Sequence, residues 1–423
     1  MQFPSAPPIF IILAMNLSKT DPQIYTLIQK EEKRQKDCLN LIPSENYTSL
    51  VVREALGSVL TNKYSEGYPG RRYYAGNKYI DQIEQLAISR AKELFGAEHV
   101  NVQPYSGSPA NLAIYFALLK PGDKILSMSL QAGGHLTHGA PVNLSGQLFQ
   151  FIFYGVEPAT GLIDYDEVER LAQKEKPKMI VCGATSYPRV LNFQRFAQIA
   201  HHIGAYCLAD ISHVAGLVAA GLHPSPFPFA DVVMTTTHKT LRGPRGAIIM
   251  SKKSLSDKID KMVFPGLQGG PHDYQTAAIA VALKEAQTPE FRIYVGQLVK
   301  NCRVLAEELK KEGLTLVSNG TDNHLLLIDL RNLKITGNEA QDLLERANII
   351  VNKNVIPGEP RKPWDPSGLR LGTPAITTRG MKEREMVQIA QMIARVLRQK
   401  DEKTIQKVKK AIKTLTQNFP FPK

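Results

Sequence analysis

Short apolar runs at residues 124–127, 179–183, 205–209 and 231–235 alternate with segments of helical apolar spacing, such as 166–174 and 192–202. Runs that are apolar throughout and bounded by turn residues suit strands buried on both faces. The alternation therefore predicts an α/β fold with a mainly parallel sheet. Residues 246–250, after a Gly-Pro-Arg turn, are expected to add an edge strand. Before the first run, Ile80, Ile83, Ala87, Ala91 and Leu94 recur at helical spacing, and Gly96 follows as a stop. A second helix is predicted over 106–119, opening on a Ser-Gly turn.

The pattern changes after Pro289. A long helix over 291–311 leads to strands near 314–318 and 325–330; Thr336-Gly-Asn-Glu339 is a capping box, and helices over 381–398 and 402–417 close the chain. The expected organisation is an extension over 1–20 without order, a helical arm over 21–50 opening on Asp21-Pro22, a large ligand-binding domain over 51–287 and a smaller α+β domain over 288–423. Residues 9–14 are apolar, but no Lys or Arg precedes them, and Pro4, Pro7 and Pro8 crowd them. The run is too short to cross a membrane, and a start at Met15 would remove it as an upstream extension. No membrane association is expected.

Composition alters this picture little. The 423 residues, 43% hydrophobic and 22% charged, are ordinary for a globular protein of two or three domains. The formal charge of +13 is spread along the chain, with mild enrichment near residues 400–413. A scattered basic excess reads as solvated surface suited to phosphate and carboxylate ligands, and nucleic acid is not the expected partner. Cys38, Cys182, Cys207 and Cys302 lie far apart with no CxxC pair, which argues for a reducing compartment and against a zinc site or disulfide framework. Cys182 and Cys207, inside apolar runs, are expected as buried thiols.

The chemistry concentrates after the last of the four apolar runs, in Thr235-Thr-Thr-His238-Lys239-Thr240. Ligands of open α/β sheets bind at the C-terminal ends of strands. A lysine held there can be desolvated, its pKa lowered, and its amine freed for imine chemistry. One run earlier, residues 205–209 end on Asp210, and His213 follows in the same turn. Alone, Lys239 would read as surface and Asp210 as a helix cap. Together, at successive strand ends, they form the arrangement a pyridoxal-phosphate site needs, with the carboxylate against the pyridinium nitrogen. Ser106-Gly107-Ser108 before a helix fits a phosphate site, although an ordinary N-cap looks the same. Gly133 and Gly134 permit close approach, and His135 could stack on a flat ring.

Several motifs, in order, resemble the serine hydroxymethyltransferase family: Leu39-Asn-Leu-Ile-Pro-Ser44-Glu-Asn-Tyr47, Thr61-Asn-Lys-Tyr64-Ser-Glu66-Gly-Tyr68, Arg72-Tyr73-Tyr74, Gly133-Gly-His135-Leu-Thr-His138, Thr236-Thr-His238-Lys239, Gly243-Pro-Arg245-Gly, Phe264-Pro-Gly-Leu-Gln-Gly269-Gly270 and Arg370-Leu-Gly-Thr-Pro374. The resemblance covers residues 21 to about 400. It implies the fold-type I architecture of pyridoxal-phosphate transferases, with an N-terminal helical arm and a smaller α+β C-terminal domain. It also implies reversible conversion of serine and tetrahydrofolate to glycine and 5,10-methylenetetrahydrofolate, in the cytoplasm.

The resemblance further implies roles. Lys239 carries pyridoxal phosphate as an imine, His238 shapes reaction specificity, Asp210 pairs with the ring nitrogen, His135 stacks on the ring and His213 lies near its 3-oxygen. Ser106, Gly107, Ser108 and Thr185 help hold the cofactor, while Gly269 and Gly270 reach its phosphate from a neighbouring subunit. Arg370 takes the substrate carboxylate, with Ser44 and Arg245 close by. Tyr64 and Glu66 come across a dimer interface, Glu66 as acid/base at the hydroxymethyl and folate end, its pKa raised by burial among Tyr64, Tyr73 and Tyr74. Tyr73, Tyr74, Leu130, Gly134, Leu136 and Asn354 line the folate pocket. A site completed in this way requires at least a homodimer; dimer against tetramer stays open.

Thr185, Leu267 and Ala132 depart from the family pattern without removing a catalytic group, which bears on cofactor affinity rather than on activity. The nearest rival, a folate-independent aldolase of the same fold, would need Lys239, Asp210 and an arginine but not the Tyr64–Tyr74 block or Asn354. A nucleic-acid-binding protein with a relic site would not need Lys239, Glu66, Asp210 and Arg370 intact.

Overall fold

The computed structural model describes residues 16–421. Seven strands form one sheet: β1 (His99–Asn101), β2 (Lys124–Met128), β3 (Gln150–Tyr154), β4 (Met179–Cys182), β5 (Tyr206–Asp210), β6 (Val232–Thr236) and β7 (Ala247–Ser251). Their spatial order is β1-β7-β6-β5-β4-β2-β3. Strands β2 to β6 pair in parallel, and β7 is antiparallel to both of its neighbours. The edge position expected for residues 246–250 is therefore corrected. β7 is an inner strand, and β1, too short to stand out by composition, takes the edge.

Successive strand residues point to opposite faces, and both faces are covered. Ile125, Val181, Leu208 and Met234 join the core beneath the helix Gly107–Leu118. Leu126, Ile180, Cys207 and Val233 join the opposite core, with the helices Tyr165–Glu175 and Phe193–His202. This double burial is why the strands read as continuous apolar runs. Cys182 and Cys207 are buried free thiols, as expected.

A second, antiparallel sheet has the spatial order Thr315–Leu316, Leu325–Asp329, Gly368–Gly372, Asn352–Asn354. It packs with the helices Pro289–Lys311 and Glu383–Gln399 around a core of its own. The strand Gly368–Gly372 carries no strong strand signal, because a glycine stands at each end. Both glycines are required by packing: a Cβ on Gly372 would lie 2.7 Å from Pro43, and one on Gly368 would lie 2.4 Å from Ile356.

In the arm, Asp21 caps the helix Pro22–Asp37, none of whose residues is buried. Leu39–Asn40 then pairs in parallel with Ile349–Ile350, and Leu39 and Leu41 enter the core of the second sheet. The extension expected over 1–20 needs a correction where it is described: Leu17–Thr20 forms a helical turn capped by Asn16. The rest of that expectation, over residues 1–15, lies outside the described residues. Among the described residues no helix is long and apolar enough to cross a membrane.

Candidate active site

The C-terminal ends of β2, β4, β5 and β6 open onto one cavity of about 470 Å³. Asp210 is the last residue of β5, and Lys239 stands three residues beyond β6. Thr185 follows β4; Leu130, Gly134, His135 and Leu136 follow β2. Ser106, Gly107 and Ser108 arrive at the start of a helix, Ser44 from the arm, and Asn354 and Arg370 from the second sheet. His213, His238 and Arg245 complete the predicted residues that line it.

Asp210 is held in place. Its Oδ1 accepts the Ser212 backbone N–H at 3.0 Å. Its Oδ2 accepts from Asn111 Nδ2 at 3.2 Å and from His138 Nε2 at 3.1 Å. His138 Nδ1 accepts the His135 backbone N–H at 3.3 Å, so the His138 proton sits on Nε2 and points at the carboxylate. Burial alone would raise the Asp210 pKa. The His138 bond and the nearby positive charge outweigh it, and Asp210 stays ionised well below the usual carboxylate range.

Lys239 is buried, 9% exposed, and its Nζ donates to Thr236 Oγ1 at 3.1 Å. Burial lowers its pKa to about 8; Asp210 opposes that shift, and Arg370 and Arg245 add to it. About a tenth of the amine is thus neutral at pH 7, against a few parts in ten thousand for an ordinary lysine, as imine chemistry requires.

Ser106 precedes the helix Gly107–Leu118 but makes no capping bond with its side chain. The amides of the first turn are left for an anion, and Pro109 has no N–H to strand. A Cβ on Gly107 would lie 2.9 Å from Thr236, so only glycine brings the helix this close to β6. The glycine pair at 133–134 has a different reason. A Cβ there would strike Ser186 or Met128, so the close approach is by the protein's own backbone rather than by a ligand. The Thr185 hydroxyl lies 3.2 Å from the carbonyls of both glycines and pins the same turn.

Burial holds the histidines neutral. It lowers His135 to about 4 and His238 to about 3, and His213 also falls well below its ordinary value. A neutral His135 ring, its Nδ1 accepting the Thr137 N–H at 3.1 Å, can stack on a flat cationic ring without charge repulsion. His238 lines the cavity, and its Nδ1 is buried without a partner. Arg370 spends Nη1 on the Thr185 carbonyl at 2.6 Å and Nε on Asn352 Oδ1 at 3.2 Å. The rest of its guanidinium remains free for a carboxylate.

Tyr64, Glu66, Tyr73, Tyr74, Gly269 and Gly270 do not line this cavity. They cluster elsewhere: the Tyr64 and Tyr74 rings meet edge-on at 5.0 Å, and a Cβ on Gly270 would lie 3.1 Å from Tyr64. Arg72, ion-paired with Asp81 and Glu84, anchors the hairpin beside Glu66. Tyr64, Tyr73 and Tyr74 are 55%, 74% and 47% exposed, so the enclosure expected around Glu66 is not built by one chain.

The structure adds residues that sequence reasoning passed over. His138 stood in the same Gly-Gly-His-Leu-Thr-His run as His135, and that adjacency was a usable signal. Asn111 and Thr236 gave none, being one polar position in an apolar helix and one of three threonines. His324 also gave none, because its contact with His213 spans 111 residues.

The residue set fits pyridoxal phosphate: a buried carboxylate, a desolvated lysine, an uncapped helix start and the neutral His135 ring line one space. Residues 17–393 match the family model of serine hydroxymethyltransferase. A serine hydroxymethyltransferase from Acidothermus cellulolyticus is 56% identical over 413 residues, covering 96% of this chain and 97% of that protein.

Proposed function

The chain belongs to the serine hydroxymethyltransferase family, and from that premise we propose how its own side chains share out the work. The activity is the reversible conversion of serine and tetrahydrofolate to glycine and 5,10-methylenetetrahydrofolate, with pyridoxal phosphate as cofactor. Pyridoxal phosphate supplies an electron sink that lets the bond between the α-carbon and hydroxymethyl carbon of serine break and re-form.

Lys239 would hold the cofactor through Nζ. Asp210, kept ionised by His138, would pair with the ring nitrogen and hold a proton there. Ser106, Gly107 and Ser108 would hold the phosphate, Thr185 steadies the turn of Gly133 and Gly134, and His135 would stack on the ring. His213 would donate to the 3-oxygen, and His238, also lining the cavity, would shape reaction specificity. Arg370 clamps the substrate carboxylate, with Ser44 and Arg245 closing that end. Leu130, Gly134, Leu136 and Asn354 line the folate side of the cavity.

Glu66 exchanges the proton on the hydroxymethyl oxygen, and it does so from a second copy of the chain. The observation behind this is the separation described above: six residues expected at the site gather around three exposed tyrosines away from the cavity. A homodimer that seats Tyr64, Glu66, Tyr73 and Tyr74 over the partner's cavity, with Gly269 and Gly270 at its phosphate end, would bury those rings and enclose Glu66. We place the enzyme in the cytoplasm, where four reduced cysteines and this metabolism belong.

The observation that carries the residue assignment is the pairing of buried Lys239 with ionised Asp210 at the ends of adjacent strands. The test is a spectrum. Glycine and then tetrahydrofolate are added to the purified yellow protein. A long-wavelength band that strengthens with folate is the expected result, and absence of bound cofactor or of a folate response overturns the reading.

A further inference from the structure

His213 and His324 meet end to end beside the cavity. His213 lines the cavity, whereas His324, immediately before the strand Leu325–Asp329, does not. His213 Nδ1 and His324 Nε2 are 3.2 Å apart, the rings lie 25° from coplanar, and their centroids are 5.4 Å apart. Both rings are buried, at 4% and 0% exposure.

A hydrogen bond between two neutral imidazoles carries one proton, so one ring donates and the other accepts. Neutrality is secured by burial and by the positive charges of Lys239 and Arg370 nearby. His324 Nδ1 decides the direction, because it is buried and has no partner. Were His213 the donor, His324 would accept at Nε2 and carry its own proton on Nδ1. That would be a buried N–H with no acceptor, the rarer kind of orphan. With His324 as donor, only a bare lone pair is left at Nδ1.

We propose that His324 is a positioning residue: it donates from Nε2 to His213 Nδ1, so that His213 keeps its proton on Nε2 and offers the cavity a donor. The ligand chemistry this suits is an anionic ring oxygen, the 3-oxygen of pyridoxal phosphate. This inference rests on the role of His213 stated under Proposed function. Nothing among the described residues accepts from His213 Nε2, so that N–H is free to do so.

The test is long-range proton–nitrogen NMR on holoenzyme and cofactor-free protein labelled with ¹⁵N-histidine, His213 being assigned from a His213→Gln spectrum. His213 is expected with its proton on Nε2 in the wild type, and as a mixture of tautomers in His324→Phe. His324→Gln, which keeps an amide N–H, should hold the wild-type tautomer. Cofactor dissociation constants should follow: about tenfold weaker in His324→Phe, the size of one hydrogen bond, and near wild type in His324→Gln. A wild-type His213 protonated on Nδ1, or a tautomer unchanged in His324→Phe, overturns the proposal. If His324→Phe does not fold, the wild-type spectrum and His324→Gln decide. Failure of the wild type to bind cofactor would instead sink the role of His213, while the tautomer in cofactor-free protein still judges His324.

Discussion

His138 Nε2 lies 3.1 Å from Asp210 Oδ2, with both side chains buried, and the Nδ1 of His138 is tied to backbone. The imidazole therefore serves the carboxylate as a fixed donor. Removing it leaves Asp210 buried with one fewer partner.

His138→Leu should weaken cofactor binding about ten- to a hundredfold, the worth of one hydrogen bond to a charged group. Titration of cofactor-free protein with pyridoxal phosphate measures this, with circular dichroism reporting retained fold. Asp210→Asn should cost more, because the charge itself is lost. Unchanged affinity in His138→Leu would remove it from the site.

Lys239→Ala should abolish covalent attachment: after borohydride reduction, intact mass should show no cofactor adduct. In the wild type, burial lowers the amine from 10.5 to about 8, so the reactive neutral form grows as pH rises toward that value. Capture of pyridoxal phosphate by cofactor-free protein should accelerate up to about pH 8 and level off above it. A rate still climbing steadily at pH 10 would contradict a desolvated lysine.

Arg370→Lys keeps a positive charge but loses the planar fork. Serine kcat/KM should fall by about 10²- to 10³-fold, mostly through KM, in line with the loss of a buried charge-assisted pair. Steady-state kinetics against serine concentration separates the two constants. A fall confined to kcat would point to a role in the reacting step instead.

Lys239→Ala and Glu66→Gln chains, each inactive, should regain activity when mixed and reassembled. A shared site leaves one intact centre in each mixed dimer, about a quarter of all centres at equal mixing. Recovery of no activity, with mixed dimers demonstrated by tagged pull-down, would confine Glu66 to its own chain's site.

Legibility in the sequence followed the range of the interactions. Lys239, Asp210 and the glycine-rich and tyrosine-rich motifs were readable because each is a local signature at a strand end or turn. Strands β2, β4, β5 and β6 were readable because burial on both faces demands uninterrupted apolar runs. The strand Gly368–Gly372 was not, since its glycines answer to Pro43 and Ile356, distant in sequence.

The sequence by itself determined the fold class, the family and most of the residues around the cavity, because those depend on local patterning and on motifs a few residues long. Only the tertiary structure decided that β7 is an inner strand and that His138, rather than the backbone alone, keeps Asp210 ionised. It also decided that Glu66 and its tyrosines stand apart from the cavity of their own chain, and that His324 reaches His213. Each of these depends on distances between segments far apart in sequence, set by packing two cores and an arm together, and no local pattern encodes such a distance.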